Sequence, residues 1–226
     1  MTLGEPRHHV PECTSTNDLA RKLAAEGAPH GTLVTTDHQT AGRGRQGRRW
    51  EAPPGTSVLM SLVVREPHPL LSLAAGVAVA RVCGPEARIK WPNDIWLDGD
   101  RKVAGILVEG RPLEGWAVVG IGLNVALDVE SLPPELRETA TSLGRPPEDI
   151  EPTLSELLAE LEAVLALPKE ELLAAWRERD ALAGRAIAWA DGEGVARGID
   201  DEGQLLVETA DGSVRRLNAA EVHLLR

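Results

Sequence analysis

Along the first half of the chain, short apolar runs separated by turn residues predict strands, with two helical stretches set between them. Val10 to Glu12 reads as a short first strand ending at Cys13. Ser15-Thr16-Asn17-Asp18 then offers a helix start, with Ser15 and Asp18 at capping-box spacing; Leu19, Leu23 and Ala24 form its apolar face and Gly27 stops it. Gly31 to Thr36, rich in β-branched residues, and the apolar run Ser57 to Val64 predict two more strands. Leu70 to Cys83 predicts a second helix, ended by Gly84-Pro85. Arg88 to Leu97 reads as a strand interrupted by Pro92; proline has no N–H for a central ladder, so a bulge or sharp bend is expected there. Asp98-Gly99-Asp100 is a hairpin turn into the strand Lys102 to Glu109, and Trp116 to Val125 is a further strand.

The second half changes character twice. Asp128 to Glu151 is Pro-rich and mostly acidic, irregular but for a short helix near Pro134 to Arg137. Pro152 opens an amphipathic helix with Leu154, Leu157, Leu158, Leu161 and Leu165 on one face, and Pro168 opens another carrying Leu172 and Trp176, which decays near Ala183-Gly184. From there the period shortens to strands at Ala186 to Ala190, Gly194 to Ile199, Leu205 to Glu208 and Ser213 to Leu217, divided by Asp-Gly and Glu-Gly turns. The pattern predicts an α+β fold: a mixed β-sheet domain with flanking helices over residues 1–182, followed by a small SH3-like β-barrel over 183–226.

Composition narrows the function. No apolar run reaches membrane-spanning length and the N-terminus lacks a signal-peptide core, so a cytoplasmic protein without membrane contact is expected. Cys13 and Cys83 have no metal or redox spacing and read as free thiols. Six tryptophans stand without a single Tyr or Phe, so the cores are expected to be built from Leu, Val, Ile and Ala. A formal net charge of -11 makes non-specific nucleic-acid binding unfavourable.

Against that acidic background, Arg43, Arg45, Arg48 and Arg49 crowd into Gln39 to Trp50, among Gly42, Gly44 and Gly47. The glycines are expected to supply positive φ and close backbone approach, and guanidinium forks match carboxylate and phosphate oxygens. The loop should be mobile until an anion orders it. The glycines also spell the spacing of a dinucleotide fingerprint, which requires a helix to open on them. Here Pro53-Pro54-Gly55 and a strand follow instead, which excludes that fold. Gly120 and Gly122 would leave one face of their strand bare, either for a flat ligand or for curvature.

Five stretches in this order, Ser15-Thr16-Asn17, the glycine-arginine loop preceded by Gln39, Lys90-Trp91-Pro92-Asn93-Asp94, Arg101-Lys102 with Ala104-Gly105-Ile106, and Gly120 to Asn124, resemble those of the biotin-protein ligases. The resemblance runs from about Val10 to Arg226. It implies an enzyme that activates biotin with MgATP to biotinyl-5′-adenylate and then biotinylates a lysine of a biotin carboxyl carrier domain. By resemblance, the biotin site comprises Ser15, Thr16, Asn17, Gln39, Gly42, Arg43, Gly44, Arg45, Lys102, Gly105, Gly120 and Gly122. Arg48, Trp50, Lys90, Asn93, Asp94 and Asn124 fall to ATP. Lys102, Arg45, Arg48 and Asp94 carry the chemistry, with magnesium held through the ATP phosphates and Asp94 a candidate for its ligand and for the acceptor-lysine base.

Some relatives carry an N-terminal DNA-binding domain. Only fourteen residues precede Ser15, so a ligase without DNA binding is expected; dimerisation is left open. The rival readings are a lipoate-protein ligase or transferase of the same fold, and a non-enzymatic anion- or RNA-binding module using the arginine loop.

Overall fold

The computed structural model describes residues 2–218 and 221–225. The outermost positions of the two expected domains, Met1 and Arg226, lie outside the described residues, as do Ala219 and Ala220.

A seven-stranded mixed sheet organises the larger part. Its strands are β1 (Arg7–Cys13), β2 (Leu33–Gln39), β3 (Ser57–Arg65), β4 (Arg88–Lys90), β5 (Asp94–Leu97), β6 (Arg101–Arg111) and β7 (Trp116–Asn124), in the spatial order β1-β2-β3-β7-β6-β5-β4. β1 runs parallel to β2 and every other pairing is antiparallel. β3 lies inside the sheet, between β2 and β7, and is buried from Ser57 to Val64, as its mostly apolar sequence requires for a strand covered on both faces. Helix α1 (Thr16–Ala25) covers one face through Ala20 and Ala24 against Val34, Val63, Trp116 and Val118. Helix α2 (Leu71–Val82) covers the other; it is apolar all round because α4 (Ile150–Leu165) and α5 (Lys169–Arg177) close over its far side. The short α3 (Pro134–Arg137) stands in the irregular stretch, as expected.

The second sheet is antiparallel: β8 (Ala186–Trp189), β9 (Gly192–Ile199), β10 (Leu205–Glu208), β11 (Val214–Leu217) and β12 (His223–Leu224), in the order β11-β10-β9-β8-β12. It matches the expected small barrel-like unit. β12 is only two residues long and leaves no periodic trace in sequence.

Several local expectations are corrected. Ser15 is the N-cap of α1, but no capping box forms: its side chain makes no capping bond, and Asp18 turns to Arg43 instead. Of the two alternatives at Pro92, the sharp bend forms and not the bulge. Pro92 sits in the turn of a tight hairpin, where Lys90 pairs with Asp94. Pro152 is the third residue of α4, whose first turn begins at Ile150. The cores also take in tryptophan: Trp91, Trp116 and Trp176 are all buried. Among the described residues no helix is long and apolar enough to cross a membrane.

Candidate active site

The sheet topology brings five separate segments together. The start of α1, the end of β2, the β4–β5 hairpin and the middle of β6 and β7 line a cleft with about 860 Å³ of open space, roofed by the glycine-arginine loop. Of the residues named from sequence, all but Gly42 and Asn124 line it.

One end of the cleft is an uncharged hydrogen-bonding pocket. Ser15, Thr16 and Asn17 are buried there. The Thr16 backbone N–H and hydroxyl both donate to Gln39 Oε1, at 2.8 and 3.2 Å, which fixes the Gln39 amide. Ser61, which sequence reading missed, places its hydroxyl 2.8 Å from Thr16 Oγ1 and 2.6 Å from Asn17 Oδ1. The signal was a lone hydroxyl in the middle of an otherwise apolar strand.

The glycines serve close approach more than positive φ. Only Gly47 of the three loop glycines has a positive φ, 76°, and it shares that conformation with the neighbouring Gln46. A side chain at Gly42 would collide with the Trp50 carbonyl. Gly120 has no room for a Cβ because Asn17 lies on it, and Gly122 has none because the Trp50 indole does. Gly122 pairs with Gly105 across β6 and β7, and a Cβ on Gly105 would stand 3.0 Å from the same indole. The bare strand therefore seats two of the protein's own side chains, and the ligand is left the space beside them. The indole N–H of Trp50 is buried with no acceptor, a donor for which a ligand or a water must provide the partner.

Arg43, Arg45 and Arg48 of the loop have internal partners. Arg43 is held by Asp18 at 2.7 Å and Glu109 at 3.0 Å, which raises its pKa, the Asp18 hydrogen bond contributing most. Arg45 reaches Asn93 Oδ1 at 3.3 Å, and its burial lowers its pKa. Arg48 is ion-paired to Glu221, from the segment leading into β12. The loop's positive charge is thus met by four attachments, to α1, β6, the β4–β5 turn and the segment leading into β12.

Beyond the polar pocket the cleft becomes cationic. Lys102 Nζ lies 2.7 Å from Asp94 Oδ1 and 5.5 Å from the centroid of the Trp50 ring. Lys90 stands over Trp96 at 5.2 Å, and burial lowers its pKa, with Lys102 and Arg48 adding to the effect and Asp94 opposing it. Asp94 is one carboxylate among several cations. Among the described residues no group of three or more acidic, His or Cys side chains could cage a metal.

A second cavity, with about 1830 Å³ of open space, opens on the far side of Trp50. Its walls include Trp96, Leu127, Leu132 and Leu136, and it shares Arg48, Lys90, Asp94 and Lys102 with the first cleft. Asn124 lines this second cavity. Its amide is buried, donating to the Thr141 carbonyl at 2.9 Å and accepting from Ser57 at 3.2 Å, so it anchors the wall of that cavity. Glu221 lines both cavities and was not foreseen, lying far along the chain from every motif.

Comparison with known proteins gives matches along most of the chain. The family model described as Biotin/lipoate A/B protein ligase family matches residues 10–125, and that described as Biotin protein ligase C terminal domain matches residues 190–225. The chain is 34% identical over 237 residues to the biotin--[acetyl-CoA-carboxylase] ligase of Mycobacterium tuberculosis, covering 95% of this chain and 88% of that one. The enzyme of the same name from Paracoccus denitrificans is 35% identical, with 92% and 96% covered. Among solved structures, the biotin protein ligase of Aquifex aeolicus in complex with biotin and ATP superposes with a TM-score of 0.80 at 26% identity, covering 98% of this chain and 99% of that one.

Proposed function

This chain belongs to the Biotin/lipoate A/B protein ligase family, and on that premise we propose that it is a biotin-protein ligase, which activates biotin with MgATP and transfers it to a lysine of a biotin carboxyl carrier domain. The observation that carries the reading is the meeting of two cavities at one cationic junction formed by Lys90, Lys102 and Arg48 around Asp94. Two anionic substrates approach from opposite sides and react where positive charge is fixed in advance.

The uncharged pocket takes the ureido head of biotin, whose polar groups need partners in a dry site; Ser15, Thr16, Asn17 and Gln39 supply them. The valeryl chain leads the carboxylate to Lys102. On the other side, the base of ATP enters the cavity between Trp50 and the leucine wall, and its α-phosphate meets the same lysine. A carboxylate oxygen attacks the α-phosphorus, the bond to the β-phosphate oxygen breaks, and pyrophosphate leaves with biotinyl-5′-adenylate remaining. Lys102, with Arg45, Arg48 and Lys90 around it, stabilises the charge that gathers on the phosphoryl oxygens. The donor set fits a magnesium ion held mainly by phosphates: Asp94 would be its one protein ligand, and the ion would neutralise phosphate charge. In the second step the acceptor lysine's amine attacks the acyl carbonyl and AMP departs; in this reading Asp94, the carboxylate of the junction, takes the amine's proton.

The C-terminal domain match favours biotin over lipoate as substrate. An RNA-binding module is disfavoured because three of the four loop arginines are engaged by Asp18, Glu109, Asn93 and Glu221 of this chain. A division of labour at about residue 182 is supported by the two sheets falling on either side of it, and a cytoplasmic setting by two cysteines that are both free. The test is pyrophosphate release from MgATP with biotin or with lipoate, followed by labelling of an apo carrier domain. Biotin-dependent release and labelling are expected; release with lipoate alone, or with neither, would sink the reading.

A further inference from the structure

We propose that Glu109 is a positioning residue that both orients Asn17 in the polar pocket and holds the arginine loop closed above it; this rests on the biotin-ligase reading. Glu109 lies near the end of β6 with 21% of its side chain exposed. Its carboxylate is shared three ways. Asn17 Nδ2 donates to Oε2 at 2.9 Å, while Arg43 Nη2 and Arg21 Nη1 reach Oε1 at 3.0 and 3.4 Å. Asp18 completes the ring, 2.7 Å from Arg43 and 3.8 Å from Arg21. Charges alternate around Asp18, Arg43, Glu109 and Arg21, and Asn17 hangs from that ring at the edge of the cleft.

The consequence is chemical. An asparagine amide presents either a donor or an acceptor, depending on its flip. An ionised carboxylate only accepts, so Glu109 draws Nδ2 to its own side. At the other end the Ser61 hydroxyl, 2.6 Å from Oδ1, completes the same orientation. Nδ2 has a further acceptor in the Leu107 carbonyl at 3.4 Å, so its hydrogens are spent within the protein. What Asn17 retains is the second lone pair of Oδ1, which takes an N–H and refuses a carbonyl. A ureido ligand offers such an N–H. The same carboxylate grips Arg43, the first arginine of the loop, so loop closure and amide orientation pass through one residue.

Two variants separate these roles: Glu109→Gln keeps an oxygen acceptor for Asn17 but loses the charge on the arginine side, and Glu109→Ala loses both. The readouts are biotin KM and kcat for pyrophosphate release at saturating MgATP, together with the rate of tryptic nicking at the loop arginines. For Glu109→Ala we expect the biotin KM to rise about tenfold, as for the loss of a hydrogen bond to a charged group, and nicking to quicken. The kcat should stay within about threefold, since no contact to the reacting atoms is lost. Glu109→Gln should restore KM toward the parental value while nicking stays fast. Parental KM in Glu109→Ala, or equally raised KM in both variants, overturns the proposal. If the alanine variant does not fold, parental nicking in Glu109→Gln overturns it and faster nicking upholds it. A parent protein that releases no pyrophosphate with biotin defeats the ligase reading itself, and the proposal with it.

Discussion

At the scale of single residues, Lys102 carries the sharpest expectation. Its ammonium is 2.7 Å from Asp94 Oδ1, and its side chain belongs to neither apolar cluster of the core. Lys102→Gln keeps much of the stem and a hydrogen-bond donor while deleting the charge. Losing one preorganised contact to a developing anion costs about 2.7–4 kcal/mol, so adenylate formation should fall by roughly 10²–10³. The loss should appear in kcat more than in the biotin KM. Lys90, Arg45 and Arg48 remain to offset the charge of Asp94, so the melting temperature should hold nearly steady. Full pyrophosphate release by the folded variant would remove Lys102 from the catalytic set. Gly122 sets a second test. Even one added carbon would collide with the Trp50 indole, which must then leave its seat on β7. Because that indole lines both cavities, Gly122→Ala should raise the KM for ATP and the KM for biotin together. Parental values for both would show that the indole keeps its seat.

At the scale of elements, what sequence reading reached and what it missed divide along a physical line. The α1 start, the arginine loop, the Lys90 to Asp94 hairpin and the β7 glycines each spend several site residues within a few positions, so composition and turn chemistry betray them. Ser61, Glu109 and Glu221 are single polar residues whose meaning depends on strand register and on where a distant segment folds back. No local pattern reports either. Asp180 is another such case. It lies between α5 and β8, where the chain bonds to the β4 edge through Ile89, and burial raises its pKa above the ordinary 3.8. Asp180 Oδ1 accepts from the Leu182 N–H at 2.8 Å, but Oδ2 is buried without a partner. An acid with a raised folded pKa binds its proton more tightly when folded. Its contribution to stability is therefore present at low pH, and is lost as pH rises from the unfolded value through the folded one. Asp180→Asn does not titrate, so its melting temperature relative to the parent should improve as pH goes from about 4 to 7. A difference that stays constant over that range would mean that Asp180 does not titrate in this window.

At the scale of the whole molecule, the two sheets share one interior. A single apolar cluster joins Leu73, Ile89 and Trp176 on the large-sheet side to Ile187, Ala196, Leu205 and Val207 of the small sheet. Polar contacts cross the same boundary: the Arg177 guanidinium donates to the Ile199 carbonyl at 3.1 Å, and the Trp91 indole N–H donates to the Gly203 carbonyl at 3.0 Å. Gly203 fits this place because a side chain there would run into Leu73 at 2.7 Å. Trp91 belongs to the hairpin that carries Asn93 and Asp94 into the junction, so the small sheet helps to fix that hairpin. Two units joined in this way should unfold together. We expect one calorimetric transition with matching calorimetric and van't Hoff enthalpies. Biotin with MgATP should shift it upward, by about 2.7 kcal/mol of added stability at a hundredfold excess over Kd. Trp91→Phe tests the coupling directly. It keeps most of the ring volume and leaves the Gly203 carbonyl without its donor, at a cost of about 1–3 kcal/mol. For a chain of this size each kcal/mol lowers Tm by about 2–4 °C. The transition should move down as a whole and remain single, with the kcat for adenylate formation falling as the hairpin loosens. A second, lower transition confined to the small sheet, with adenylate formation unchanged, would show that the small sheet leaves the hairpin to stand alone.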